Sequence, residues 1–246
     1  MFPSKKFQII SDVHIETNKS INDIITPEPN ATLIIAGDVG RVEQYKNYSD
    51  FIGYFCKLFH RVILVPGNHE YYTRDETLTR KKVDSLLFEL KNIYHNLEIL
   101  INSQCIIDNV LIFGSTFWSY CPHQYFSDVP IYEAENKLMD SAMYNRLHLS
   151  AQESLETWLC YARKQKLEVI VVTHYAPTFF STLAEKYRIY DNKKNYMYCS
   201  HSDSYLENDL VKYWVYGHTG YSGNYNKLVS NQVGSEGFSK KKVIEI

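Results

Sequence analysis

The chain has 246 residues, 45% of them hydrophobic, with 26 Lys and Arg against 28 Asp and Glu. That composition supplies a large core and excludes a disordered chain, a collagen-like fibre and a disulfide-stapled miniprotein. The formal net charge of −2 shows no basic surplus to hold duplex nucleic acid, and five scattered cysteines without a C-x-x-C pair fit a reducing, cytoplasmic home.

The first apolar run, residues 7–10, is far too short for a secretory core, and no segment approaches the roughly 18 apolar residues of a membrane span. Similar runs follow at 33–36, 62–65, 110–113, 169–172 and 213–216, each ending in polar or glycine-containing sequence. Short runs of β-branched and aromatic residues predict strands covered on both faces. Leu86, Leu87, Leu90 and Ile93 predict a helix beginning near Thr77. Residues 97–113 predict consecutive strands turning at Asp108-Asn109. A second helix is expected over 149–166, with Leu155, Trp158, Leu159 and Ala162 on one face and Ser150 as its cap. Residues 176–208 read as a long loop or small insertion near the active site, and the tail from 213 as strands with turns at Asn226-Lys227 and Gly234–Gly237. Without repeats or long linkers, the expectation is one α/β domain over 1–246, two packed sheets with helices outside.

The chemistry lies just after the strands. Residues 7–10 lead into Ser11-Asp12-Val13-His14, residues 33–36 into Gly37-Asp38, and residues 62–66 into Gly67-Asn68-His69-Glu70. Residues 169–172 lead into Thr173-His174, and residues 213–216 into Gly217-His218. Ligands of α/β sheets bind outside the carboxyl ends of the strands. Singly, each piece fits a turn cap or a packed core histidine; together they deliver carboxylate, amide and imidazole donors to one crevice. That mixed set suits Mn²⁺, Fe or Zn²⁺.

The ordered set D-x-H, G-D, G-N-H-E, H, G-H resembles the calcineurin-like metallophosphoesterases, in particular compact single-domain members of bacterial and phage type. Residues 116–118, 173–177 and 214–219 add to the likeness. The resemblance implies a four-layer α/β/β/α sandwich of two mixed sheets and two divalent metal ions. It places Asp12, His14 and the bridging Asp38 at the first metal, and Asp38, Asn68, His174 and His218 at the second. Asn68 and His69 would contact substrate, with His69 as donor to the leaving oxygen. The implied reaction is hydrolysis of phosphoric esters by in-line attack of a metal-bound hydroxide.

Two positions depart from that pattern. Gly220 stands where the family usually carries a further His, which leaves the first metal site weakened. Arg41 stands where some members place an Asp that orients the catalytic His, so His69 needs another orienting group; Arg41 itself could contact phosphate or face solvent. Tyr71, Tyr72 and Tyr175 follow the motifs and could flank the cleft, and His201 could reach it from the long loop. The expected partner is a small phosphorylated substrate, with a lean toward a nucleotide-like phosphodiester over a phosphoprotein, and no membrane. The rival expectation is a catalytically weak or inactive scaffold of the same fold.

Overall fold

The computed structural model describes residues 5–17, 24–187 and 193–246. One sheet runs in the order β13 (Val243–Glu245), β1 (Lys6–Ile10), β2 (Thr32–Ala36), β3 (Val62–Val65), β4 (Leu97–Ile99). The other runs β11 (Gly223–Tyr225), β12 (Leu228–Ser230), β10 (Val211–Tyr216), β9 (Glu168–Thr173), β6 (Val110–Ser115), β5 (Ser103–Ile107). Strands β1 to β4 are mutually parallel, as are β6, β9, β10 and β12, while β13, β5 and β11 pair antiparallel at the edges. A small hairpin, β7 (Tyr132–Ala134) with β8 (Lys137–Leu138), stands apart from both.

The period-two alternation of a strand explains why the runs are apolar throughout. Ile34, Ala36, Ile63 and Val65 point inward and meet Ile112, Ile170, Val172 and Val215 of the facing sheet. Leu33, Ile35, Val62 and Leu64 point outward, under α1 (Tyr45–Leu58) and α2 (Arg80–Ile93). On the other side, Phe113, Val169 and Val171 lie under Leu155, Leu159 and Ala162 of α3 (Ser141–Gln165). The result is the four-layer sandwich, two mixed sheets flanked by helices. Each fully buried Leu, Ile or Val contributes about 1.5–3 kcal/mol relative to exposure. None of the described helices is long and apolar enough to cross a membrane.

The hairpin turn at Asp108-Asn109 is present, with both residues at positive φ (44° and 70°), as a tight two-residue turn requires. The strands around it divide, however: β4 joins the first sheet, and the β5–β6 hairpin belongs to the second. Helix α3 starts at Ser141, not near residue 149, and its cap is Asp140, whose carboxylate accepts the Met143 N–H at 2.7 Å. Ser150 is therefore an interior helical residue. Tyr144 and His148 continue the buried stripe of Ala151 and Leu155 at helical spacing, but an aromatic phenol and an imidazole do not read as apolar. The alternation of strand and helix in the early part of the sequence leaves helix α1 unlocated; its buried face is Tyr48, Phe51, Ile52 and Phe55, and its Gln44 cap position makes no side-chain hydrogen bond.

Candidate active site

The parallel strands bring the loops after β1, β2, β3, β9 and β10 to one edge of the sandwich, where the motif residues meet. The Asp38 carboxylate is their centre. Its Oδ1 accepts the His69 N–H at 2.8 Å, and its Oδ2 faces His174 Nε2 at 3.2 Å and His14 Nε2 at 3.9 Å. Asn68 Oδ1 lies 3.0 Å from the same His174 Nε2. Asp12 accepts the backbone N–H of His218 through both oxygens, at 3.0 and 3.1 Å. One donor atom from each of Asp38, His174 and His218 lies within 4.8 Å of the other two, and the same holds for Asp12, His14 and Asp38, so the two groups share one carboxylate. Gly67 permits this closeness, because a Cβ there would stand 2.2 Å from Asp38 Oδ1.

Ring orientations follow from hydrogen bonds on the far nitrogens. His174 donates Nδ1–H to Ala36 O at 2.9 Å, and His218 donates Nε2–H to Met197 O at 3.2 Å, a contact from the long loop. His14 Nδ1 is 3.2 Å from Glu16 Oε1. In each case the hydrogen bond turns the other nitrogen toward the cluster.

Residues 5–221 match the family model of the calcineurin-like phosphoesterases. The chain belongs to that family, and with it to the metal-binding phosphoric ester hydrolases. It is 24% identical over 253 aligned residues to an uncharacterised protein of Acanthamoeba polyphaga mimivirus, covering 92% of this chain and 89% of the viral one. Among solved structures it resembles a phosphopantetheinyl hydrolase from Mycobacterium tuberculosis, with TM-score 0.64, 18% identity, and 99% and 96% of the two chains covered. A putative 5'-nucleotidase from Staphylococcus aureus gives TM-score 0.52 at 11% identity, over 99% of this chain and 50% of that one. At these identities the two structures speak for the fold.

The donor chemistry fits a cation. Asp38 Oδ2, Asn68 Oδ1 and His174 Nε2 are three acceptors meeting at hydrogen-bond distance, which only a proton or a metal ion can hold together. Burial alone would push His174 down, but the Asp38 carboxylate beside it pushes it up to about 9. The same pairing overcomes burial at Asp38 and holds its carboxyl well below the usual range. His218 goes the other way: burial, then the charge of His174, push it down to about 3, so it stays neutral.

Glu70 does not orient the adjacent His69. It is fully buried, and its Oε2 accepts the N–H groups of Asp38 (3.0 Å) and Gly67 (2.6 Å). Its Oε1 accepts the Val39 N–H (2.7 Å) and the Tyr48 hydroxyl (3.1 Å). Burial and the charge of Asp38 push it up to about 6, against the pull of those N–H groups. The His69 ring instead meets Glu16, whose Oε1 is 3.2 Å from its Nδ1. The motifs gave no sign of Glu16, because the contact joins residues 53 positions apart.

The remaining expected neighbours sort differently. Tyr72 packs on the His69 ring at 4.7 Å, and Tyr175 on His218 at 4.3 Å. Tyr71 is buried with its hydroxyl on Asp84, away from the cleft, whereas Tyr198, which the sequence did not single out, is exposed and packs on His218 at 4.9 Å. His201 stacks on Phe179, not on the motif residues. Arg41 is half-buried, and its Nε is enclosed without a hydrogen-bond partner, so it does not simply face solvent. Gly220 lies in left-handed backbone (φ 68°), gives its N–H to Gln232 Oε1 at 2.6 Å, and a Cβ there would meet nothing within 4 Å.

Two outcomes follow from this geometry. Glu70→Gln turns an amide N–H₂ toward at least one backbone N–H donor and lowers unfolding free energy by about 1–3 kcal/mol in urea titration; a change within about 0.5 kcal/mol, as at an ordinary surface position, would contradict the role given to it. A metal ion taken up on His174 by chelator-treated protein at about pH 7.5 would displace the proton held there. Calorimetry in buffers of different ionisation enthalpy should show release of about one proton, and Mn²⁺ affinity should climb roughly tenfold per pH unit up to about 9. Uptake without proton release would contradict the charge given to His174, and Mn²⁺ affinity unchanged in His174→Ala would show that it is not a ligand.

Proposed function

We propose that the chain hydrolyses small phosphoric esters with two divalent metal ions, Mn²⁺, Fe or Zn²⁺, held at the two groups that share Asp38. The observation that carries this reading is the meeting of Asp38 Oδ2, Asn68 Oδ1 and His174 Nε2 in a buried place that only a cation or a proton satisfies. Asp12, His14 and Asp38 would hold one ion, and Asp38, Asn68, His174 and His218 the other. Bound there, such ions neutralise the phosphoryl oxygens and lower the pKa of a water toward neutrality.

The chain's own residues do the rest. Asp38 would hold both ions, because an anion with two oxygens can serve two cations, while the neutral Asn68 would keep positive charge available to the substrate. A water oxygen forms the new P–O bond and loses its proton to solvent, and the ester P–O bond breaks. His69, in the form protonated on both nitrogens, passes the Nε2 proton to the departing oxygen, keeps Nδ1–H on Glu16 and takes a proton back from solvent. A first ion would have three side chains to hold it, Asp12, His14 and Asp38, with Gly220 supplying none, and would therefore exchange more readily than the second.

Tyr72 and Tyr198 stand at His69 and His218 and offer flat apolar faces beside the reacting group, which supports a nucleotide-like phosphodiester as substrate. The scaffold reading finds less support, because every residue expected at the second ion and His69 itself are in place around Asp38. One domain over 1–246 accommodates the whole arrangement, and the five free thiols support a cytoplasmic home.

The test is hydrolysis of aryl phosphate mono- and diesters by chelator-treated protein, with and without Mn²⁺. Added Mn²⁺ should restore turnover. Asn68→Ala should lose metal and activity together. His69→Ala should keep metal but slow turnover by about 10²–10⁴-fold, less for esters with good leaving groups. Wild-type protein that binds Mn²⁺ yet turns over neither class would contradict the proposal, and loss of metal in His69→Ala would overturn the roles given to the two neighbours.

A further inference from the structure

We infer that Glu16 is a positioning residue for two imidazoles at once, a single carboxylate oxygen accepting Nδ1–H from both His14 and His69. The inference rests on the reading of His14 as a metal ligand and His69 as the proton donor. Glu16 Oε1 is 3.2 Å from each Nδ1, and the two rings meet edge to face at 4.5 Å and 74°. One acceptor between two N–H donors fixes the tautomer of both rings. It leaves Nε2 of His14 toward Asp38 and Nε2 of His69 for the substrate.

Independent features place Glu16 there. Its turn is tied to the loop after β2 by two backbone bonds, His14 N–H to Asp38 O (3.1 Å) and Ile15 N–H to Val39 O (2.9 Å). Gly40 makes the room: a Cβ at that position would lie 2.5 Å from Ile15 Cγ1 and 3.0 Å from Glu16 Oε2. That second oxygen is enclosed without a hydrogen-bond partner, and the side chains that meet the carboxylate are the two rings. Among the described residues no other acid is hydrogen-bonded to the His69 ring: Glu70 is spent on backbone amides and the Tyr48 hydroxyl, and position 41 carries Arg.

The consequence is coupling. The group that sets the proton donor also sets a ligand of the more weakly held ion, so a change at one ring is felt at the other through Glu16. Elsewhere in the site the ring nitrogens turned away from the cluster are held by backbone carbonyls, Ala36 O and Met197 O, which serve one ring each.

Glu16→Ala and Glu16→Gln in the full chain test this. In ¹⁵N spectra of chelator-treated wild-type protein, with the His69 signals identified by their loss in His69→Ala, the neutral ring should be held as the Nδ1–H tautomer. In Glu16→Ala it should become a tautomer mixture, and Mn²⁺ affinity at the weaker site should fall about 10–100-fold. The loss of kcat/KM should be greater for poor leaving groups than for good ones, and in a His69→Ala background Glu16→Ala should add no further dependence on the leaving group. Glu16→Gln, whose amide oxygen still accepts two N–H groups, should recover the tautomer and most of the activity. An unchanged His69 tautomer in Glu16→Ala, or a loss equal for all leaving groups, would overturn the inference. Should the wild-type protein hydrolyse no ester, the proposed function fails, while the tautomer and metal measurements still decide the role of Glu16.

Discussion

Two backbone loops are held together by one carboxylate. Glu70, out of reach of water, accepts the N–H groups of Asp38, Val39 and Gly67 and the hydroxyl of Tyr48. It thereby joins the end of β2, the end of β3 and helix α1, and the position of Asp38 between them follows. Asp38 needs that support, because it sits in left-handed backbone (φ 55°), as do Asp12 (55°), His14 (50°) and His218 (69°). Such a conformation costs a residue with a side chain about 1–2 kcal/mol. It persists where surrounding contacts over-determine it. Here Asp12 N–H binds Gly37 O, His14 N–H binds Asp38 O, and His218 N–H binds the Asp12 carboxylate. The loops thus hold one another in a shape none would keep alone.

The consequence is electrostatic. Asp12, Asp38 and Glu70 lie buried close together, and mutual repulsion acts with burial to push Asp12 and Glu70 upward. Asp38 alone is held low, by its contact with His174. Concentrated negative charge, met by a His174 ring held charged beside Asp38 and a neutral His218, is an arrangement a divalent cation relieves. Each imidazole owes its orientation to an acceptor on its other side, and for His14 and His69 that acceptor is the same oxygen.

The strand ends were legible in the sequence because strands buried on both faces are uninterrupted apolar runs, and a polar residue closing such a run is conspicuous. Asp12, Asp38, Asn68, His174 and His218 could be named in that way, and their common edge follows from parallel pairing. Helix α1 was not legible, since its buried face is largely aromatic and its start carries no capping side chain. The first turns of α3 were hidden for a similar reason, with Tyr144 and His148 standing in the apolar stripe. Glu16 was beyond reach of local pattern. Its partner His69 arrives from another strand end, and only the tertiary pairing of the loops after β1 and β2 brings them together. Glu70, noticed as the neighbour of His69, turned out to serve the backbone of the loop facing it.

The proposed function puts the reaction around one shared carboxylate. The most direct measurement is anomalous diffraction from crystals of the protein soaked in Mn²⁺, collected at the manganese edge. The account predicts two peaks on either side of Asp38, one bounded by Asn68, His174 and His218 and a weaker one by Asp12 and His14. A single peak that excludes Asp38, or manganese bound only outside this cluster, would contradict it.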